Sequence, residues 1–290
     1  MLENPLAEVA GKEQCVGAIR AERAFTGLQP VFDSLVNNRD RKAQFATAAS
    51  QFQARLELLR TIGLYGMYWG KQQHLRSFLP IPSRLATDPH DGRDGVHVND
   101  SLRVIPSVIT LYTMGVAALA SDNIETLALL LSKPTVSTRG ERHPYLIAVD
   151  WPQVQEWFKT LPGHERHYFA ASEWLFTECR EVVRPVVPDD SDYDRLFDLF
   201  EIVRSLVYAD LALNGQYASG LAELWGPPGR FVWKMARRGS SRDFLAELKG
   251  NSRLAHGLCN AGLFGGKLQT FGVVVDGFWA VAQKFSQRCY

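Results

Sequence analysis

The clearest hydrophobic pattern in the chain lies between Tyr193 and Leu211. Apolar side chains recur there every three or four residues, which is the spacing of one face of an α-helix. The positions are Tyr193, Leu196, Phe197, Phe200, Val203, Leu206, Val207 and Leu211. The pattern predicts a long helix with Ser191 as its N-cap, and it predicts that Phe197, Phe200, Val203 and Val207 are buried.

Similar spacing predicts helices along most of the chain. A weak helix is expected over Glu8–Ala24, and a long amphipathic helix over residues 41–70, where proline is absent. Residues 105–120 and 123–132 are predicted to form a helical hairpin in which Asp122 caps the second helix. Four further helices are expected: one that begins near Pro152 and ends at Gly163, one over about residues 165–183, one that ends at Trp225, and a basic one that begins near Arg230.

The alternation of apolar and polar residues that marks a strand is nearly absent. Only Val182–Val187 and Phe271–Val275 offer short β-branched runs, and helical patterns flank both. The sequence therefore predicts an all-α fold, an irregular array or bundle of about eight to ten helices. No repeat of fixed period can be aligned, so a regular solenoid is not expected.

Residues 80–101 are rich in Pro, Gly, Asp and Asn and have no apolar period, which is typical of a long surface loop. This loop is the best internal boundary. It divides an N-terminal helical segment, residues 1–79, from a main helical domain, residues 102–290, although one continuous domain remains the alternative. A loop of this length inside a compact domain is either functional or mobile.

The composition is that of an ordinary globular protein: 290 residues, 46% hydrophobic and 22% charged. The four cysteines are widely spaced without a CxxC pair, and the charged N-terminus lacks the apolar core of a secretory signal. Both features predict reduced thiols and a cytoplasmic protein. The longest uncharged run, residues 104–120, is shorter than the roughly 20 apolar residues of a membrane span and is interpreted as a buried core helix.

Charge is distributed unevenly although the formal net charge is only +1. Residues 101–200 carry 14 acidic and 9 basic side chains, whereas residues 201–290 carry 11 basic and 6 acidic ones. Because opposite charges attract, we expect the acidic middle and the basic end to interact, either within the chain or between copies of it.

Motifs that would carry catalysis or bind a metal fail on spacing. The histidines of HERH at 164–167 are three residues apart, whereas the zincin motif needs four, and AGLFGGK at 261–267 lacks the first Gly and the final Ser or Thr of a phosphate-binding loop. The Asp and His residues between 88 and 97 match no known ligand frame and are interpreted as a solvated loop. We therefore predict no catalytic residues, no metal site and no cofactor.

The region between Trp225 and Gly266 is the predicted functional surface, since it combines basic residues, aromatic residues and two Gly-rich turns. The candidate binding residues are Trp225, Arg230, Trp233, Lys234, Arg237 and Arg238. Their basic side chains could meet phosphates, an acidic partner or the acidic helix of the same chain. Nucleic acid is not favoured, because the pI is only 7.7. A structural alternative is that Arg230 and Trp233 anchor the turns to the core, with Arg230 paired to a carboxylate of the acidic middle.

Three strings, LYTMGVAALASDNIETLALLL at 111–131, GPPGRFVWK at 226–234 and AGLFGG at 261–266, carry a family resemblance in their order and spacing. With them, residues 102–290 resemble the helical C-terminal region of uncharacterised bacterial multidomain proteins that bear sirtuin-type or Schlafen-like effector domains. The resemblance implies a helical part that senses a trigger or drives assembly, in systems suspected to act in defence against phage. The first 100 residues contain no recognisable effector domain, which leaves a fragment of a larger protein or a stand-alone relative whose enzyme is a separate chain.

Two functions of different classes follow from these observations. The first, which we favour, is a non-enzymatic helical module for sensing, protein interaction or oligomerisation, with a protein partner or a second copy as its ligand. The second is an enzyme that acts on a small molecule or a nucleic acid through residues scattered over several helices. Convergent polar residues in a deep pocket would favour the enzyme, and an exposed aromatic groove would favour the module.

Overall fold

The computed structural model describes residues 41–86, 104–138, 141–149, 155–214, 229–238, 248–250 and 252–287. The structure is 78% helical and contains twelve α-helices within these ranges, several of them only one or two turns long. The prediction of an irregular all-α array is confirmed. The weak helix expected over Glu8–Ala24, most of the predicted loop and Trp225 lie outside the described residues.

Five helices form the first half of the fold: α1 (Arg41–Trp69), α2 (Gln72–Phe78), α3 (Ile81–Ala86), α4 (Ile105–Ala120) and α5 (Ile124–Ser132). Helix α3 occupies the start of the segment predicted to be a loop. Its Ile81 and Leu85 are buried, and Pro82 lies in its first turn, where a missing N–H removes no helical hydrogen bond. Proline is thus part of the helix here, and the composition of the segment was misleading.

A short antiparallel hairpin follows α5, formed by β1 (Thr135–Thr138) and β2 (Glu141–Pro144), with Thr135 opposite Pro144. The sequence did not predict this hairpin, because Val136 is the one apolar residue in β1 and a single apolar residue does not make the alternating pattern of a strand. The two runs that looked most like strands are not strands. Val183 is the last residue of a helix, and Phe271–Val275 lies inside another.

The second half contains the short helices α6 (Tyr145–Ala148) and α7 (Gln155–Phe158), then α8 (Ala170–Val183) and α9 (Asp190–Asn214). It ends with α10 (Phe231–Arg238), α11 (Ser252–Asn260), a 3₁₀ turn (Leu263–Gly266) and α12 (Leu268–Ser286). Helix α8 begins five residues later than predicted, because residues 163–169 form turns.

Both predicted N-caps are wrong by one or two residues. Helix α5 is capped by Asn123, whose Oδ1 accepts a hydrogen bond from the Thr126 N–H at 3.1 Å, whereas Asp122 has a positive φ of 56°. Helix α9 is capped by Asp189, whose Oδ1 accepts from the N–H groups of Ser191 at 2.8 Å and Asp192 at 2.9 Å. In each case a neighbouring side chain of equal capping propensity takes the position that the backbone offers.

The core is built around α4, in which every residue from Ile105 to Leu119 is buried. It packs against α1, α3, α8 and α9, which confirms that the uncharged run is a core helix. Gly115 provides the space for Phe200 of α9, since a Cβ atom at residue 115 would lie 1.9 Å from the Phe200 ring. None of the helices in the described ranges combines the length and apolar character that a membrane span requires.

Phe200, like Phe197, Val203 and Val207, is fully buried as predicted. We expect Phe200→Ala to lower the free energy of unfolding by about 3 to 5 kcal/mol, because it removes a large side chain and leaves a cavity beside Gly115. Urea denaturation followed by circular dichroism measures the change. Leu213→Ala on the same helix is the control, since Leu213 is half exposed, and an equal loss in both variants would contradict the packing.

Candidate functional site

An open cavity of about 1030 Å³ lies between α8, α9 and α10. Aromatic and aliphatic side chains form much of its wall: Phe176, Tyr193, Ile202, Phe231 and Trp233. Charged side chains of both signs complete the lining: Arg180, Glu181, Arg184, Asp190, Asp194, Arg195, Asp198, Arg230 and Lys234. The cavity is therefore amphipathic, which suits a ligand that presents both apolar and polar groups.

Five charged side chains form what we call the ion cluster: Asp194, Asp198, Arg230 and Lys234, which lie at the base of the cavity, and Glu173, which pairs with Arg230 but does not line the cavity. The Lys234 ammonium donates to one carboxylate oxygen of Asp194 and one of Asp198, each at 2.6 Å. The Arg230 Nη1 donates to Asp194 Oδ1 at 2.9 Å, and its Nε lies 3.2 Å from Glu173 Oε2. Carboxylates of α8 and α9 thus pair with both cations, Lys234 in α10 and Arg230 directly before it.

Helix geometry explains how the ion cluster assembles. Asp194 and Asp198 are four residues apart on α9, so their side chains lie on one face. Arg230 and Lys234 have the same spacing at the start of α10, and the two pairs meet where the helices pack. Trp233 adds a hydrogen bond from its Nε1 to Glu173 Oε1 at 2.7 Å. The Arg230 guanidinium also lies 3.6 Å from the centroid of the Phe176 ring, within the range of a cation–π contact.

Burial makes the two aspartates of the ion cluster differ. Burial would raise the pKa of Asp194, but the hydrogen bonds and charges of Lys234 and Arg230 outweigh it and hold that pKa below its usual value. Asp198 lies deeper, and burial raises its pKa to about 6 in spite of the same two cations. The difference follows from the general competition between desolvation, which disfavours a charge, and an adjacent opposite charge, which favours it.

Next to the ion cluster lies a fourth carboxyl group, that of Glu201, which is only 1% exposed. Its Oε1 accepts hydrogen bonds from Ser172 Oγ at 2.6 Å and from the Tyr112 hydroxyl at 3.2 Å. Burial raises its pKa to about 7. Ser172 Oγ in turn accepts the backbone N–H of Arg230 at 2.9 Å, so this carboxyl is linked through one hydroxyl to the start of α10.

Gly229 allows the chain to approach Glu201. A Cβ atom at residue 229 would lie 1.9 Å from Glu201 Oε2, closer than any side chain permits. The last glycine of the GPPG string is therefore required by packing against a buried carboxyl.

The second Gly-rich string, AGLFGG, forms the 3₁₀ turn between α11 and α12. Gly262, Gly265 and Gly266 all have positive φ, and the Phe264 N–H donates to Asp210 Oδ2 of α9 at 2.9 Å. The glycines serve a tight turn that one aspartate fastens to α9. The turn is thus a structural connection in the described part of the chain.

The structure brings together Arg230, Trp233 and Lys234, three of the six candidate binding residues. They point towards α8 and α9, as in the structural alternative, in which Arg230 pairs with a carboxylate of the acidic middle. Arg237 and Arg238 belong to α10, but their side chains lie outside the described structure, as does Trp225 entirely. The sequence analysis did not single out Glu173, Asp194, Asp198 or Glu201. The only feature that pointed to them was the difference in charge between residues 101–200 and residues 201–290.

The thiols of the described cysteines are poor nucleophiles. Burial raises the pKa of Cys179 and also that of Cys259, so both favour the neutral form. Within the described ranges, no group of three or more His, Cys, Asp or Glu side chains is arranged to hold a metal ion. Residues 88–97, considered above for a metal, lie outside these ranges.

Comparison of the chain with protein-family models, with curated proteins and with solved structures finds no match in any of the three.

The ion cluster predicts a large effect of removing its central cation. The Arg230 side chain is 8% exposed, and Arg230→Met would leave the buried Glu173 carboxylate without its cation and Asp194 with Lys234 alone. We expect a loss of about 3 to 5 kcal/mol in the free energy of unfolding, measured by urea denaturation. The control is Arg253→Met, because the ion pair of Arg253 with Asp122 is exposed and should contribute at most about 1 kcal/mol. Similar losses in the two variants would refute the cluster.

Proposed function

We propose that this chain is a non-enzymatic protein-interaction module of a bacterial multidomain or multicomponent system, active in the cytoplasm, and that its cavity receives a segment of a partner protein. One observation carries the proposal. The Arg230 and Lys234 cations at the base of the cavity are engaged by carboxylates, whereas the exposed charges of Glu181, Arg184 and Arg195 and the partly exposed rings of Phe176 and Trp233 also line it. Such a surface suits an apolar anchor residue surrounded by polar contacts.

The mouth of the cavity offers four exposed charged side chains, Glu181, Arg184, Asp190 and Arg195. Arg184 pairs with Glu181 at 2.7 Å on the surface of α8, and Arg195 lies 4.0 Å from Asp192 on α9. Exposed pairs of this kind contribute little to stability, so they are available for exchange with the charges of a partner. The volume of about 1030 Å³ accommodates several side chains of such a partner.

The enzymatic alternative has one observation in its favour, the 2.6 Å hydrogen bond between the Ser172 hydroxyl and the Glu201 carboxyl. A hydroxyl next to a carboxylate is a possible nucleophile and base. However, both residues are at most 3% exposed, and neither lines the cavity. A substrate in the cavity would not touch either group, so we favour the interaction module.

Nucleic acid is a poorer ligand than a protein segment for the described part of this surface. Arg230 and Lys234 are buried and engaged by carboxylates, so they are not available to phosphate oxygens. Arg237 and Arg238 remain predicted contact residues. The resemblance of residues 102–290 to helical C-terminal regions supports a role in sensing or assembly, with phage defence as the proposed setting.

A charge-reversed cavity mouth tests the proposal. The chain is co-expressed with the products of its neighbouring genes and purified by a tag, and its self-association is measured by sedimentation. We expect one of these products, or a second copy, to bind the wild type and to bind Arg184→Glu/Arg195→Glu at least about tenfold more weakly, a difference of about 1.4 kcal/mol. Thermal stability should be nearly unchanged, since both arginines are exposed.

The matched control is Arg253→Glu, which reverses an exposed charge away from the cavity and should bind like the wild type. Equal binding by the double variant, or no binding by the wild type, would reject the cavity mouth as the interaction surface.

A further inference from the structure

The start of α10 lies against more negative charge than it can neutralise. Four carboxyl groups surround it: Glu173, Asp194, Asp198 and Glu201. The chain brings two cations to them at this point, Arg230 and Lys234. Arg204 of α9 is a third cation near Glu201, and its charge favours ionisation of that carboxyl; its guanidinium lies over the Tyr112 ring, 5.8 Å from the centroid. If all four carboxyl groups are ionised, repulsion between Glu201 and Asp198, one turn apart, is not fully balanced.

Two of the carboxyl oxygens accept no hydrogen bond. Asp198 Oδ1 and Glu201 Oε2 are both buried and without a donor in the described part of the molecule. A buried carboxylate oxygen without a donor is costly, and a proton on the carboxyl group removes the charge that causes this cost. Glu201 is the easier of the two to protonate, because Asp198 accepts a hydrogen bond from the Lys234 ammonium, whereas the hydrogen bonds that Glu201 accepts from the described residues come from two neutral hydroxyls.

Glu201 also packs against the residues at which α10 begins. Its Oε2 lies against Gly229, and its Oε1 is linked through Ser172 to the Arg230 N–H. A charge on Glu201 would attract water or a cation to a space that Gly229 now fills. Ionisation of Glu201 therefore acts first on the packing of the residues at which α10 begins.

We propose that Glu201 and α10 form a proton-controlled latch, in which α10 is held against α8 and α9 while Glu201 is neutral and is loosened when Glu201 ionises. The groups that face Glu201 are Tyr112 of α4, Ser172 of α8, Asp198 and Arg204 of α9, and Arg230 before α10. Because α10 forms one wall of the cavity, the latch regulates access of a partner, and this consequence rests on the proposed function. The movement of α10 itself does not.

The direction of the pH effect follows from burial. The docked form raises the pKa of Glu201 from its ordinary value to about 7, so it binds the proton more tightly than a form in which water reaches the carboxyl. The stabilisation of docking is therefore complete below the ordinary pKa of a glutamate, and it is lost as pH rises from there through about 7.

Hydrogen exchange of the peptide that covers residues 229–238 tests the latch. After correction for the intrinsic exchange rate, we expect its protection to fall about tenfold between pH 6 and pH 8, because a single group whose docked pKa is about 7 changes the docking equilibrium about tenfold for each pH unit below 7 and little above it. Helix α11 should change much less. An unchanged peptide, or an equal loss of protection in α11, would overturn the proposal.

Variants assign the effect to its residue. Glu201→Gln should remove most of the pH dependence of the protection of residues 229–238 and leave only the smaller part due to Asp198, whose pKa burial raises to about 6. The matched control is Glu178→Gln, since burial also raises the pKa of Glu178 to about 7, but this residue lies near Arg60 at a distance from α10 in the fold. The control should keep the pH dependence of the wild type. If Glu201→Gln keeps it, or fails to fold while the wild-type peptide shows no pH effect, the latch is rejected.

The latch and the proposed function can fail separately. Charge reversal of the cavity mouth measures partner binding, whereas hydrogen exchange of the isolated chain measures only the position of α10. A pH-dependent α10 in a chain that binds no partner would leave the latch intact and reject the interaction module.

Discussion

The arrangement of α8, α9 and α10 depends on buried ion pairs between these helices. Lys234 and Arg230 bring two cations into contact with Glu173, Asp194 and Asp198, and all members of the ion cluster that results except Glu173 line the base of the cavity. Buried ion pairs are not a strong source of stability, because desolvation of both partners offsets most of their attraction. Their main effect here is to fix the position of α10 relative to α8 and α9. Moving α10 away would separate Arg230 and Lys234 from the carboxylates of Glu173, Asp194 and Asp198.

The apolar core and the polar contacts play different roles in the fold: the first assembles the helices, and the second fix their positions. Helix α4, buried along nearly its full length, gathers α1, α3, α8 and α9 around it through apolar contacts that allow some adjustment of position. The polar contacts then fix details that apolar packing leaves open. Tyr112 of α4 and Ser172 of α8 both donate to Glu201 of α9, so one carboxyl group joins three helices and, through Ser172, the start of α10.

Periodicity predicted the helices well where one face is buried. Helices α1, α4 and α9 lie within a few residues of their expected bounds, because their apolar positions repeat over four turns or more. It failed where the signal is short or ambiguous. The hairpin at 135–144 has too few apolar residues, α3 contains a proline, and the caps of α5 and α9 stand next to residues of equal capping propensity.

The candidate site shows a different limit. Asp194 and Asp198 lie on the polar face of α9, and in the sequence they are indistinguishable from charges exposed to solvent. Their partners are 36 to 40 residues away, and Glu173 lies 60 residues from Trp233. Local patterns contain no information on contacts of that length. The charge difference between the middle and the end of the chain predicted an attraction, and the packing of three helices selected the residues that meet.

A double-mutant cycle between Lys234 and Asp198 tests most directly whether α10 is held by the ion cluster. Their ammonium and carboxylate are 2.6 Å apart, and both side chains are largely buried. The free energy of unfolding is measured for the wild type, Lys234→Met, Asp198→Asn and the double variant. The account predicts a coupling energy of about 2 to 3 kcal/mol, the upper range for residues in direct contact. A coupling below about 0.5 kcal/mol, as found for exposed ion pairs, would contradict it.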